Sequence, residues 1–346
     1  MSALRRVLAG AALVSLSSLA PLALAATGLT VLPAPQGTGP ITVFYPTAAA
    51  PERVQRGPFA VQAAVDAAPV RGNGRLIVMS HGSGGSPWPQ ADLAQTLVQA
   101  GFTVAMPEHA GDNWRQPESA GPVSWKRRPK EVSQAIDAMA ADARFAPLLD
   151  WQRVGVYGMS AGGLTALTLA GARWSPAQFA KHCDAHIAED FPTCVGLAAE
   201  LTGGALDAPK IAIARKVIDS TFAGDTAWQS AHDPRIAAIV AAVPMAATID
   251  MASLAAPRVP LGLVRAGRDA WLAPRWHIDA VREACKPCVL VADMPEAGHG
   301  SVLSPTPPEL PPRAARLLND PPGFDRDALP GTYAAITRFF LQNLKP

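Results

Sequence analysis

Ser160 stands between glycines in the run Gly158-Met159-Ser160-Ala161-Gly162, where a buried-strand pattern over Arg153–Tyr157 meets a helical one over Ala161–Ala172. A strand that turns into a helix within one or two residues strains its backbone at the corner. The side chain there is pushed out above the sheet, and small neighbours are needed on both sides. The new helix aims free N–H groups and the positive end of its dipole at the same point. A serine so placed is held rigidly beside an anion-stabilising field, which suits attack on a carbonyl. The competing reading is a tight strand–helix turn whose serine only caps the helix. The five residues alone do not separate the two.

Three further runs favour the chemistry. Ser80-His81-Gly82-Ser83-Gly84-Gly85 follows a compact apolar strand, Arg75–Met79. A glycine-rich loop lets backbone N–H groups approach a substrate oxygen, and the N–H groups of Ser83 and Ala161 are the expected oxyanion donors. Loss of one such donor costs roughly 2.7–4 kcal/mol. A phosphate-binding loop would end in Lys-Ser/Thr, which is missing. Gly298-His299-Gly300 follows the last predicted strand, so His299 on a flexible glycine loop can swing to Ser160 and take its proton. Asp269, in Ala266-Gly267-Arg268-Asp269 after the strand Val259–Ala266, is expected to orient His299, with Asp250 as runner-up.

The other polar and aromatic candidates are secondary. His81 is expected to brace the oxyanion loop, and His109, after the strand Phe102–Met106, to border the pocket. Trp88 and Trp271, just past the oxyanion loop and the acid, are candidate pocket walls. His182 and His186 have the i, i+4 spacing of a helical metal site. The glutamate of the zinc-protease pattern is missing, so a plain helix face is expected and no metal is assigned.

Such residues need a scaffold that carries them to one rim. Strands at Arg75–Met79, Phe102–Met106, Arg153–Tyr157, Arg235–Val243, Val259–Ala266 and Val289–Met294 alternate with helices at Ala91–Ala100, Pro129–Phe145, Ala161–Ala172 and Trp276–Ala284. This alternation predicts a mostly parallel sheet wrapped by helices. Ile41–Tyr45 and Phe59–Val65 are expected as antiparallel edge strands, 305–322 as an extended loop, and Tyr333–Leu344 as a closing helix. Between 174 and 232 the rhythm loosens into an inserted, partly helical cap that limits access to the site. The expected division is a signal peptide over 1–25, core over 26–173, cap over 174–232 and core again over 233–346.

The leader rests on Arg5 and Arg6, an apolar run from Val7 to Leu19, and the small-x-small Ala23-Leu24-Ala25. It predicts export to the periplasm or the medium. That run is shorter than the ~20 residues a bilayer crossing needs, so no stable membrane insertion is expected. A net charge of +2, with Lys126-Arg127-Arg128 as the one basic cluster, argues against nucleic acid, and the triplet reads as a solvated loop. The four cysteines of an exported chain favour disulfides, most simply Cys183–Cys194 and Cys285–Cys288.

SHGSGG, GMSAGG, AGRD and AGHG, in this order, resemble the α/β-hydrolase superfamily, and more narrowly secreted dienelactone-hydrolase-like and platelet-activating-factor-acetylhydrolase-like serine hydrolases. The resemblance covers about residues 75–300 outside the cap, and Pro107–Asn113 resembles a post-strand loop of that branch. It implies an α/β-hydrolase fold, a triad in the chain order Ser160, Asp269, His299, and cleavage of a small-molecule or lipid ester through an acyl-enzyme without cofactor. Two departures stand out. Dienelactone hydrolases carry a cysteine nucleophile where this chain has Ser160, and the acetylhydrolase type places its acid near Pro244. Amide, thioester or lipid acyl bonds would be served by the same triad. A binding protein on this scaffold would be expected to lack a triad member, and here all three are present.

Overall fold

The computed structural model describes residues 26–33, 37–307, 309–310 and 312–345. The expected signal peptide lies outside them. The strands are β1 (Ala26–Leu32), β2 (Ile41–Thr47), β3 (Glu52–Arg56), β4 (Phe59–Val65), β5 (Leu76–Ser80), β6 (Thr103–Pro107), β7 (Val154–Met159), β8 (Arg173–Trp174), β9 (Ile236–Ala242), β10 (Ile249–Asp250), β11 (Leu261–Ala266) and β12 (Val289–Met294). The α-helices are α1 (Ala91–Gln99), α2 (Pro122–Ala141), α3 (Ala161–Leu169), α4 (Pro176–His186), α5 (Phe191–Val195), α6 (Asp207–Phe222), α7 (Ile278–Ala284), α8 (Pro312–Leu318) and α9 (Leu329–Asn343).

β5, β6 and β7 are buried at every residue, so they must be covered on both faces. Ten strands form one sheet in the order β12-β11-β9-β7-β5-β6-β2-β1-β4-β3. The run from β6 to β12 is parallel throughout, and β2 pairs antiparallel with β6 and with β1. Side chains alternate between faces. Leu76 and Val78 of β5 enter one core with Ile136 of α2 and Leu164 of α3, while Ile77 and Met79 enter the other with Leu97 of α1 and Phe340 of α9. Because the strands are parallel, their carboxyl ends share a rim, and the SHGSGG, GMSAGG, AGRD and AGHG runs all begin there.

Several expectations change. β2 and β4 are interior strands, because β1 lies between them and pairs with both, and β3 pairs with β4 and takes the outermost place. The α2 helix starts at Pro122 rather than Pro129, and Pro129 sits inside it. Its first turn tolerates Pro122, whose missing N–H would have no partner there; Pro129 removes one internal hydrogen bond. The stretch 305–322 holds the short helix α8.

The stretch 174–232 holds α4, α5 and α6. Phe179, Phe191 and Ile218 from these helices belong to the same core as the sheet, so they are not separately cored. Cys183–Cys194 ties α4 to α5, and Cys285–Cys288 closes the turn before β12. His277 fastens these helices to the sheet side. Its Nδ1 accepts the Ala246 N–H at 2.9 Å, and its Nε2 faces Thr193 Oγ1 at 3.0 Å and Asp190 Oδ2 at 3.3 Å. No helix among the described residues is long and apolar enough to cross a membrane.

Candidate active site

Ser160 joins β7 to α3 with φ 59° and ψ −118°, a conformation that costs a non-glycine residue about 1–3 kcal/mol. The corner admits no larger neighbours. A Cβ on Gly158 would overlap the Gly162 carbonyl, and one on Gly162 would overlap the Ser80 carbonyl of β5. The backbone is pinned by Ser160 N–H donating to Ala242 O at 3.1 Å and Met245 N–H donating to Ser160 O at 3.0 Å.

His299 and Asp269 meet this corner. His299 Nε2 lies 3.0 Å from Ser160 Oγ, and its Nδ1 lies 2.7 Å from Asp269 Oδ2. A carboxylate accepts, so Nδ1 carries the proton and Nε2 offers its lone pair to the serine hydroxyl. Asp269 Oδ1 is held by the N–H groups of Trp271 and Leu272, each at 2.8 Å. Both carboxylate oxygens are thereby occupied. Asp250, the other acid considered, pairs with Arg173 at the β8–β10 edge.

The histidine loop is not the flexible arm its glycines suggested. It is a tight 3₁₀ turn over His299–Val302, and His299 is buried. Gly298 abuts Pro321, and Gly300 lies against the Leu318 backbone, so the glycines serve close packing. Gly298 N–H donates to Ser301 Oγ at 2.9 Å, Ser301 donates to Asp320 at 2.7 Å, and Arg326 holds Asp320 at 2.6 Å. Sequence reading missed Ser301 and Asp320.

Across from Ser160 runs the loop 81–85. A Cβ on Gly82 would stand 3.3 Å from Ser160 Cβ and 3.7 Å from Ser160 Oγ. The N–H groups of Ser83 and Ala161 have no acceptor among the described residues. His81 is buried, with Nδ1 donating to Gly82 O at 2.7 Å and Nε2 accepting the His109 N–H at 3.2 Å. His109 does not border an open pocket. It is fully buried between Ser80 Oγ at 2.7 Å and Glu131 Oε2 at 2.6 Å, because α2 covers it from below. Trp88 packs edge-on against Phe44 with Arg56 above its ring. Trp271, with Phe191, Pro192, Leu201 and Arg316, lines a groove of about 380 Å³ between α5 and the acid loop. His182 pairs with Asp190 at 2.8 Å and His186 stacks on Trp276, and the two imidazoles also pack against each other with ring centroids 5.2 Å apart.

Burial, foremost, holds His81 and His109 well below the ordinary imidazole value; the neighbouring His109 and then Arg128 add to it for His81, and Arg128 for His109. The folded protein keeps both neutral, whereas the unfolded chain takes up their protons below about pH 6.5. Stability is therefore full above that pH and is lost below it, by up to about 1.4 kcal/mol per pH unit for each ring. Glu131, raised chiefly by burial, titrates in the opposite sense. The measurement is thus the urea midpoint from about pH 7.5 to about pH 5 in wild type and His109→Gln. The variant should show the flatter profile; identical slopes would contradict this account.

The fold is similar to that of a ferulic acid esterase from Streptomyces cinnamoneus, with a TM-score of 0.58 and 17% identity over 94% of this chain and 92% of that one. This places the chain in the α/β-hydrolase fold class. No protein-family model matches the chain, and neither does any curated protein.

Proposed function

We propose that the protein is an exported serine hydrolase that cleaves carboxylic esters. The observation that carries this reading is the relay Ser160 Oγ–His299 Nε2–Asp269 built on a positive-φ corner. His299 takes the Ser160 proton as Oγ attacks the ester carbonyl. The N–H groups of Ala161 and Ser83 receive the developing oxyanion. Protonated His299, steadied by Asp269, gives its proton to the leaving alcohol. Water, activated by the same imidazole, then releases the acid and restores the serine. None of these steps calls for a cofactor. An ester substrate is further supported by the similar fold of a ferulic acid esterase. Export is supported by the leader pattern before Ala26 and by the two disulfides. Residues 174–232 are assigned as the cap, since α5 borders the groove beside Trp271.

Treating the purified protein with a fluorophosphonate should add one adduct, on the peptide containing Ser160, and should stop turnover of p-nitrophenyl esters. A protein that hydrolyses nothing and stays unlabelled would be a binding protein on this scaffold.

A further inference from the structure

Arg128 belongs to the basic triplet expected to lie in solvent, yet its side chain is fully buried on α2 beneath the loop 81–85. Lys126 does face outward, to Asp225, and Arg127 bonds Ala110 O. The Arg128 guanidinium is spent on the loop. Nη1 donates to His81 O at 2.5 Å, and Nη2 reaches Asp112 Oδ2 at 2.8 Å and Gly82 O at 3.3 Å. Nε donates to Ser124 Oγ one turn back at 2.9 Å. Asp112 is as buried as its partner. Its Oδ1 accepts the Ser83 hydroxyl at 2.7 Å and the Gly84 N–H at 2.8 Å. Burial alone would raise the Asp112 carboxyl; Arg128 and these donors outweigh it and hold it below the usual range.

The consequence is geometric. Gly82 O is gripped by Arg128, by His81 Nδ1 and by the Gly85 N–H at 3.1 Å. A trans peptide is planar, with its N–H opposed to its C=O. Fixing Gly82 O therefore fixes the direction of the Ser83 N–H, at the point where Gly82 borders Ser160. A buried ion pair is weak evidence for stability, since apolar residues of similar volume often serve as well. Its planar fork, which holds two successive carbonyls and a carboxylate at once, is what a hydrophobic side chain or a lysine does not supply.

We infer that Arg128, with Asp112 as its counter-ion, is the positioning residue of the oxyanion hole, setting the Ser83 N–H by holding the carbonyls of His81 and Gly82. This rests on the serine-hydrolase reading above. A thionoester develops charge on sulfur, which accepts hydrogen bonds weakly, so it gains less from oriented N–H donors than the matching ester does. Disorienting the hole should lower ester turnover more than thionoester turnover, whereas a general loss of folded enzyme lowers both alike.

The test is the ester-to-thionoester ratio of kcat/KM in wild type, Arg128→Lys, the double variant Arg128→Met with Asp112→Asn, and Ser83→Ala. The double variant removes both buried charges together, so neither is left unpaired in a variant that must fold where Arg128→Lys does not. Ser83→Ala, at an exposed position, keeps the N–H and loses only the Asp112 contact. The Arg128 variants should lower kcat for the ester about 100-fold with KM nearly constant, and the ratio by at least about tenfold. Ser83→Ala should shift the ratio the same way, by roughly two- to fivefold. Unchanged ratios in every variant that folds would overturn the positioning role while leaving the triad intact. A wild type that fluorophosphonate does not label would instead remove the reading on which the role rests.

Discussion

Ser160→Ala should lower kcat for a p-nitrophenyl ester by about 10⁶-fold while KM moves only a few-fold. In the proposed mechanism the hydroxyl is the bond-forming group, and no other residue stands in for it. His299 Nε2 would still stand 3.0 Å from where Oγ was, but it could only direct a water molecule. Residual acceleration of about 10³–10⁴ over water would remain, because the oxyanion donors and the binding surface are untouched. Stability should hardly change, since alanine suffers the same strain as serine at φ 59°. Ser160→Gly is the informative companion. Glycine tolerates that corner, so this variant should be equally inactive yet more stable by about 1 kcal/mol. Progress curves and urea midpoints on the three proteins decide the matter. Turnover by Ser160→Ala within about tenfold of wild type would place the nucleophile elsewhere.

The part of this site that could be read from sequence is the part written as local pattern. β5 and β7 are buried on both faces, so their apolar runs are unbroken, and each motif follows directly at a strand end. Parallel strands then bring Ser160, Asp269 and His299 to one rim without further information. What lay hidden depends on packing between distant segments. β2 looked like an edge because its outer neighbour, β1, starts directly after the expected leader and shows no strong strand signal. Arg128 looked solvated because it sits in a run of basic residues, of which Lys126 does face outward; the approach of the 81–85 loop buries it. A signal existed even so. Ser124, Arg128 and Glu131 recur at spacings of four and three, which is one face of a helix. Starting α2 at Pro122 rather than Pro129 would have displayed that polar stripe turned inward.

Asp269→Asn should cost about 10⁴-fold in kcat with the fold preserved, and the hydrogen bonds around the carboxylate say why. Oδ1 accepts two backbone N–H groups, from Trp271 and Leu272. An asparagine has one carbonyl oxygen, and those two donors claim it, because turning the amide the other way would leave both unpaired and set an NH₂ against them. The amide nitrogen must then occupy the place of Oδ2, 2.7 Å from His299 Nδ1. An NH₂ group donates, so Nδ1 has to accept and the ring proton moves to Nε2. The imidazole then presents a proton to Ser160 Oγ where it should present a lone pair. The serine keeps its position and loses its base. The ¹⁵N shifts of His299 should report the exchanged tautomer directly, alongside the fall in kcat. Full activity with the tautomer unchanged would show that the carboxylate does not orient the ring, and Asp250, committed to Arg173, offers no substitute.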